Sequence, residues 1–573
     1  GAYRVGVQLE TIRIPSTVQT VLADRVDRLR VGEKQLLQAA AVIGVNVPLR
    51  LLRAITELTD EDFHDYLGKL QSAEFLYETH LFPDLEFTFK HALTNEVVYN
   101  ALLHERKTSL HAQITRALEG MTQDATHDHL EKLAHHAFHG ELWDKSVSYL
   151  RQTGSKAMGR SAYREAAACL NRALLSLQKL PSNRQNLEQM IDLRLDFRNA
   201  LFPLEELDRV IEHLRAAELL AQSLGDKRRL ARTYGYLVHF FTLIGDREQA
   251  AAASLKGLNL ARSLADSTIQ IELNYYLGRA RYYAGDYDEA IDLQRRNIET
   301  LVGEKIHDRF DMECPPSILC RVFLVMCLAE IGELSLAIKY GAEAVQIANE
   351  MEHSFGAVYA DAALGIAHIR KGELAAAIAV LERGLERCRT ADIPVQFPLV
   401  ASPLGLAYAR TGRIVEGISL LEQAVEQTAS RRISGQAFRV AWLSEAYLRA
   451  DRVREASEQA ELALELARKY QEKGREAWIL RLLGLIHDRQ NPADTATVES
   501  DFRQALERAI QLKMRPLEAR CRFNLGELYG RLGDKDNARS QLRTALDSFR
   551  AMEMIAPLKA ATESLAKFPA SNS

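Results

Sequence analysis

Leu364-Gly365-Ile366-Ala367-His368-Ile369-Arg370-Lys371-Gly372-Glu373-Leu374-Ala375-Ala376-Ala377-Ile378-Ala379-Val380-Leu381 is one full statement of the unit that fills most of this chain. A Leu-Gly pair is followed, seven residues after the Gly, by a turn glycine, and five residues later by a small residue. The pair recurs as Leu237-Val238, Leu277-Gly278, Leu324-Val325, Leu404-Gly405, Leu443-Ser444, Leu483-Gly484 and Leu525-Gly526. Taken in order, the eight pairs are spaced by 40, 47, 40, 40, 39, 40 and 42 residues. The turn positions are Gly245, Gly285, Gly332, Gly372, Gly412, Asp451, Asn491 and Gly533, and the small residues are Ala250, Ala290, Ala337, Ala377, Gly417, Ala456 and Ala538. Gly, Asn and Asp tolerate the left-handed conformation that ends one helix and reverses the chain. The small residue lets two helix axes approach, and the Gly or Ser of the pair is expected to do the same where neighbouring repeats stack. Apolar spacing between turns is helical, as in Ala375-Ile378-Leu381-Leu385. The pattern predicts a stack of antiparallel helix pairs.

This resembles the tetratricopeptide pattern, in which an aromatic follows the Leu-Gly pair. Phe241, Tyr408, Tyr447 and Tyr529 stand at that aromatic position, and Tyr234 is the nearest equivalent of the usual Trp. The longer period predicts longer helices. Earlier stretches, Trp143 to Leu150 and Tyr163-Arg164-Glu165-Ala166 before Ala173-Leu174, read as worn versions. Ten or eleven helix pairs are expected between His129 and Leu565, with Phe568 to Ser573 frayed. The fold class is all-α, a tetratricopeptide-like α-solenoid behind a small winged-helix-like domain.

Composition narrows the function classes. The chain has 573 residues, too many for one compact core, but a stacked array escapes that limit. Lys+Arg number 73 against Asp+Glu 77, so there is no overall attraction for polyanions and nucleic acid is not the expected partner. Six cysteines (Cys169, Cys314, Cys320, Cys327, Cys388, Cys521) suit reduced thiols and a cytoplasmic location. No apolar run approaches the roughly 20 residues that span a bilayer, so no membrane partner is expected. The chain opens Gly-Ala-Tyr-Arg without Met, from which something upstream is expected.

Residues 14–122 depart from the repeat. Helices are expected over Ser16–Leu29, Glu33–Ile43, Pro48–Leu58 and Asp60–Glu74, then a hairpin of Phe75–His80 and Asp84–Lys90 around Phe82-Pro83, then helix from Thr94 to Leu118. That is the order of a winged helix. The helix before the hairpin carries Asp60, Glu61, Asp62, Asp65 and Glu74 against Lys69 alone. An acidic face is repelled by phosphates, so a coupling module is expected rather than DNA readout.

One further signature runs through Ile14-Pro15-Ser16-Thr17-Val18-Gln19, Ala23-Asp24-Arg25-Val26-Asp27-Arg28-Leu29 and Ala39-Ala40-Ala41-Val42-Ile43-Gly44. It continues in Leu70-Gln71-Ser72-Ala73-Glu74-Phe75-Leu76-Tyr77-Glu78, Phe89-Lys90-His91-Ala92-Leu93-Thr94 and Leu110-His111. It resembles the segment that follows the AAA-like, STAND-type ATPase domain in bacterial signalling proteins that fuse a class III adenylate/guanylate cyclase, that ATPase and a tetratricopeptide tail. The solenoid is similar to that tail at Ala391-Asp392-Ile393-Pro394 and Met514-Arg515-Pro516-Leu517. The resemblance implies an upstream ATPase domain as partner, with residues 1–13 as its last segment. No G-x-x-x-x-G-K-[ST] loop is present; Leu67-Gly68-Lys69-Leu70 lacks the first Gly and the Ser/Thr. No catalytic residue, cofactor-binding residue or cofactor is expected, and the chain is read as not an enzyme.

His127, His129, His135, His136 and His139 form a His-rich stretch in which His135 and His139 share a helix face, yet no third ligand is evident and no metal site is expected. Cys314, Cys320 and Cys327 match no metal or redox spacing and are read as buried thiols. The candidate site is a concave groove lined by the first helix of each pair, two before and two or five after its Leu. Those positions give Tyr275, Arg279 and Tyr282, then Val322 and Met326, Ala362, Ile366 and Ile369, and Ser402, Leu406 and Ala409. Such a groove suits a peptide, an amphipathic helix or a small effector, unless these side chains pack between repeats. The chain divides at 14–122, 123–229 (degenerate repeats), 230–565 (tetratricopeptide repeats) and 566–573. It is expected to serve as a non-catalytic sensor and protein-interaction arm of a signalling ATPase or cyclase, the alternatives being a stand-alone scaffold or the arm of a maltose-regulator-type activator.

Overall fold

A computed structural model of the chain describes residues 16–80, 85–121, 127–160, 162–202, 204, 206–310, 312, 314–429 and 435–568. The expectations placed on residues 1–13, on Ile14-Pro15, on Phe82-Pro83 and on 569–573 lie outside the described residues. Among the described residues there are 28 α-helices and three short strands, and no helix is long and apolar enough to cross a membrane. The chain forms two compact units, Gly1–Ala200 and Leu201–Ser573.

The first unit opens with helices Ser16–Asp27 and Val31–Ile43, the latter burying Leu36, Leu37 and Ala39 to Val42. Next comes strand β1, Asn46–Pro48, which the sequence does not announce; its last residue opens the helix expected over Pro48–Leu58, and only Leu49–Ala54 is helical there. Three residues carry no alternation to read. β1 exists because Val47, fully buried, pairs with Phe87 across an antiparallel ladder. Strands β2, Leu76–His80, and β3, Glu86–Phe89, complete a sheet of order β1-β3-β2. Between β1 and the hairpin lies helix Asp60–Ser72, capped by the Thr59 hydroxyl accepting from Asp62 N at 3.2 Å. Its acidic first turn faces the positive end of the helix dipole, while Phe63, Leu67 and Leu70 enter the core. The expected helix from Thr94 to Leu118 is two, Ala92–Asn100 and His104–Met121, and Leu102 turns into the core at the break. Helices His127–His139, Trp143–Gly159 and Tyr163–Leu177 follow.

The second unit is an array of antiparallel pairs. Eight of them run from Lys227–Ile244 with Arg247–Leu264 to Arg515–Arg531 with Lys535–Ala551, and Ile555–Ala566 closes the series. Turn residues Gly245, Gly285, Gly332, Gly372, Gly412, Asp451 and Gly533 all have positive φ. Asn491 does not: its φ is −143°, because Pro492 follows and disfavours helical or turn-like backbone at the preceding residue. The turn there is two residues longer, so the close-approach position four residues into the second helix falls on Val498, fully buried. Ala496, which stands at the spacing expected from Asn491, is therefore displaced from the close approach.

The glycine of the Leu-Gly pair works within its own pair, not between neighbouring repeats as the sequence suggested. A Cβ on Gly365 would lie 2.4 Å from Leu381 Cγ, and one on Gly405 would lie 2.7 Å from the Gly417 carbonyl. Where serine replaces it, Ser444 Oγ donates to Ala456 O at 2.6 Å, again inside one pair.

The first four pairs also meet the array again about five pairs later. Arg247 Nη2 donates to Tyr470 O at 2.8 Å, Arg515 Nε donates to Ile331 O at 2.7 Å, and Ser335 Oγ donates to Glu553 Oε2 at 2.8 Å. Gly285 sits against Leu512, Gly332 against Met552 and Gly372 against Pro557. The turn glycines thus have a second duty, since a side chain at Gly245 or Gly332 would strike Tyr470 or Met552.

Candidate functional site

First helices of successive pairs face inward, and the winding brings seven of them around one cavity of about 240 Å³. Of the residues singled out from sequence, Tyr275, Arg279, Tyr282, Val322, Met326, Ala362, Ile366 and Ser402 line it. Ile369, Leu406 and Ala409 do not; they are 2%, 0% and 2% exposed and pack in the interior between helices. For these three the packing alternative holds: Ile369 and Ala409, five after their Leu, lie toward the turn end, and Leu406, two after its Leu, packs into the core of its own stretch of the array.

The sequence reading missed the aromatic wall and two of the three cations. Phe355 and Tyr359 sit on helix Ser354–Lys371 two turns and one turn before Ala362, and Phe438, Arg439 and Trp442 stand on Gln436–Arg449, where no residue was singled out. Carrying the same arithmetic back by one helical turn would have found Tyr359 and Phe438. No local signal marks Arg475: it reaches the cavity from a helix, Lys473–Gln490, brought there by the winding.

The electrostatics are one-sided. Arg279, Arg439 and Arg475 line the cavity, and among the described residues no Asp or Glu does. Arg475 pairs with the buried Glu472, whose Oε1 also accepts from Gly435 N at 2.7 Å. Arg279 is 9% exposed, its guanidinium lying 5.3 Å from the Phe323 ring centroid and 5.9 Å from that of Tyr283. Its Nε has no hydrogen-bond partner, and no carboxylate pairs with it among the described residues. Burial raises the pKa of the Tyr283 phenol, yet the guanidinium groups of Arg279, Arg475 and Arg439 outweigh it and pull that pKa below the ordinary tyrosine value.

In the first unit, four imidazoles gather where helix His104–Met121 packs against His127–His139. His111 supplies the third imidazole that the sequence did not reveal, since it lies 25 residues from His136 yet its Nδ1 is 2.8 Å from His136 Nδ1. His135 and His139 lie alongside, their ring centroids 4.6 Å apart. His111, His135 and His136 each place one nitrogen within 4.8 Å of the others, a set that a soft divalent cation fits by ligand type. However, His111 already bonds Tyr99 through Nε2 (3.1 Å) and His136 through Nδ1, so a metal would displace both bonds. Lys107, Lys132 and Arg172 add positive charge around the cluster. The arrangement works better as a hydrogen-bonded clasp between helices. Burial, followed by neighbouring imidazoles, holds His111 down to about 3 and His136 down to about 2. The side chain of His127 lies outside the described residues.

The six cysteines are free thiols, and all but Cys169 are buried. Burial pushes Cys320 and Cys521 up to about 12 and Cys388 up to about 11, the opposite of an activated nucleophile.

Residues 519–551 match the tetratricopeptide repeat family, and the fold of the array is a tetratricopeptide-like α-solenoid. An uncharacterized protein of Rhizobium meliloti (strain 1021) is 28% identical over 160 residues, which is 28% of this chain and 16% of that protein. The chain thus covers well under two thirds of that relative's length. Among solved structures, a signal transduction ATPase with numerous domains carrying a tetratricopeptide repeat sensor, from Pyrococcus horikoshii, is 12% identical with a TM-score of 0.38, covering 88% of this chain and 66% of that one. A Rap protein complexed with competence and sporulation factor is 14% identical with a TM-score of 0.44, covering 74% of this chain and 100% of that one. These are likenesses of fold alone.

Proposed function

We propose that this chain is the effector-sensing arm of a signalling protein, with the effector held in the cavity of the second unit. The observation that carries the reading is that cavity: first helices of seven consecutive pairs converge on it, with aromatic walls and three arginines. Convergent polar groups in an apolar pocket are the ordinary form of a ligand site. The first unit supports a coupling role. Its second helix, first strand, next two helices and hairpin follow in an order that supports the winged-helix-like reading. The helix that would enter a DNA groove presents Asp60, Glu61 and Asp62 instead. Together with the resemblance to the segment beyond a STAND-type ATPase, this favours relay to an ATPase domain in the same gene product, without catalysis by this chain. The relay is a population shift, and it requires the effector to prefer one packing of the array.

Two measurements test the reading. Native mass spectrometry of the full gene product, purified gently from its own host, should detect a co-purifying ligand that is lost on Ala363→Phe, a substitution that fills the cavity. Identical spectra for both proteins would remove the cavity as the effector site. Nucleotide hydrolysis by the same full-length pair should differ in rate; equal rates would leave a binding scaffold without relay.

A further inference from the structure

Resting on the cavity as the ligand site, we infer that its ligand is a small, largely apolar molecule carrying one carboxylate, anchored by Arg279. Three observations lead there. Among the described residues the lining holds three arginines and no acid; Glu472 compensates Arg475 from behind the wall, which leaves Arg279 without a carboxylate inside apolar walls. Arg279 is the member without a carboxylate: nine-tenths buried, always charged, its side chain hydrogen-bonded to Tyr275 but its Nε without a partner, beside the Phe323 and Tyr283 rings. A buried guanidinium lacking its counter-charge is costly, and a ligand carboxylate supplies that charge in the fork geometry arginine prefers.

The same lining argues against a peptide. A buried peptide backbone needs a donor or acceptor for each of its amides. Apart from the arginines, the tyrosines and the Trp442 indole N–H, the polar side chains among the described lining are Ser402 and Gln396. Ser402 Oγ already donates to Pro398 O at 2.7 Å, and Gln396 Nε2 to Phe355 O at 3.1 Å. Gln396 keeps one free acceptor, Oε1. The polar groups are few and lie among apolar and aromatic walls, which suits one anionic group on an apolar body, and a bicyclic aromatic acid such as an indole alkanoate meets that description.

Calorimetric titration of the full chain with indole-3-butyrate and with its neutral primary amide tests this. The acid should bind saturably and the amide roughly 10- to 100-fold more weakly, the range expected when a charged hydrogen bond to a buried partner is lost. Arg279→Gln should abolish the preference for the acid, and Arg279→Lys, which keeps the charge but loses the fork, should retain part of it. Circular dichroism establishes that each variant is folded, and the comparison of acid with amide on the unsubstituted chain needs no variant. Equal binding of acid and amide, or no saturable binding of the acid, would overturn the inference. A hexapeptide with a free C-terminal carboxylate that bound tenfold tighter than the acid would overturn the small-molecule class. Ala363→Phe separates the two levels, with Met326→Trp as a second filling variant. If filling abolishes binding of both acid and amide while the unsubstituted chain does not discriminate them, the cavity stands and the anion falls. If the acid still binds the filled variants, the cavity reading itself fails.

Discussion

The indole Nε1 of Trp478 donates to Oε2 of Glu330 at 2.7 Å, across 148 residues of sequence. Oε1 of the same carboxylate accepts from Arg370 Nη2 at 2.8 Å, and the Arg370 guanidinium lies 4.0 Å from the Trp478 ring centroid. Glu330 and Arg370 are 2% and 4% exposed. One carboxylate therefore ties two early pairs to a late one. Trp478→Phe keeps the ring but strips one bond from a buried acid and should cost about 1–3 kcal/mol. Glu330→Ala leaves Arg370 buried without its counter-ion and should cost more, about 3–5 kcal/mol. Urea midpoints of the two variants check the order; equal losses would mean that the aromatic packing, not the ion pair, holds the contact.

Two glycine substitutions should act with opposite sign. Gly365→Ala drives a Cβ to 2.4 Å from Leu381 Cγ and should destabilise by about 1–3 kcal/mol. Gly68, inside helix Asp60–Ser72, has nothing within 4 Å of the equivalent point, so Gly68→Ala should stabilise by about 1 kcal/mol through helix propensity. Thermal melts of both variants decide it.

Acid should loosen the first unit before the carboxylates titrate. His111 and His136 have native pKa values of about 3 and about 2, against about 6.5 in the unfolded chain. Below about pH 6.5 the unfolded chain takes up protons that the folded one refuses, so stability present above that pH is lost as pH falls. The slope is at most about 1.4 kcal/mol per pH unit for each histidine, and because the two share a hydrogen bond they titrate as a pair. Urea unfolding at about pH 7 and about pH 5, scored by proteolytic cleavage between residues 92 and 160, should show it. His136→Gln should flatten the dependence, and an unchanged slope would acquit the pair.

Thiol labelling should be selective. Cys169 is half-buried and the other five cysteines are buried. A neutral-pH thiol reagent should therefore modify Cys169 alone in the native chain and all six cysteines after unfolding. Peptide mapping reads the site, and early modification of Cys320 or Cys521 would contradict the burial.

How much of this was legible depends on how local each cause is. The turn at Gly372 and the small Ala377 are written in the residues beside them, so the array could be read directly. Asn491 could not, because Pro492 displaced the register and handed the close-approach position to Val498. A second series of turns also escaped: Glu352, Asp392, Gln471, Lys513 and Glu553, between pairs, take positive φ without being glycine. Their conformation is imposed by the helices on either side, not by their own preference. Strand Asn46–Pro48 exists only by pairing with β3. In the candidate site, Tyr275 and Arg279 follow from position within one helix, whereas Arg475 and the partnership of His111 with His136 depend on contacts that spacing does not encode.

In a linear solenoid each repeat answers only to its two neighbours, so an end can be trimmed and the remainder keeps its fold. The contacts at a distance of five pairs remove that freedom here. Deleting Ile555–Ala566 would uncover Gly372, and deleting the pair before it would strip Arg515 from Ile331. Damage at the C-terminal edge is therefore felt in the middle of the array, on the helices that line the cavity. The C-terminal end of the second unit is not expendable, since pairs that contribute no side chain to the cavity brace the helices that line it.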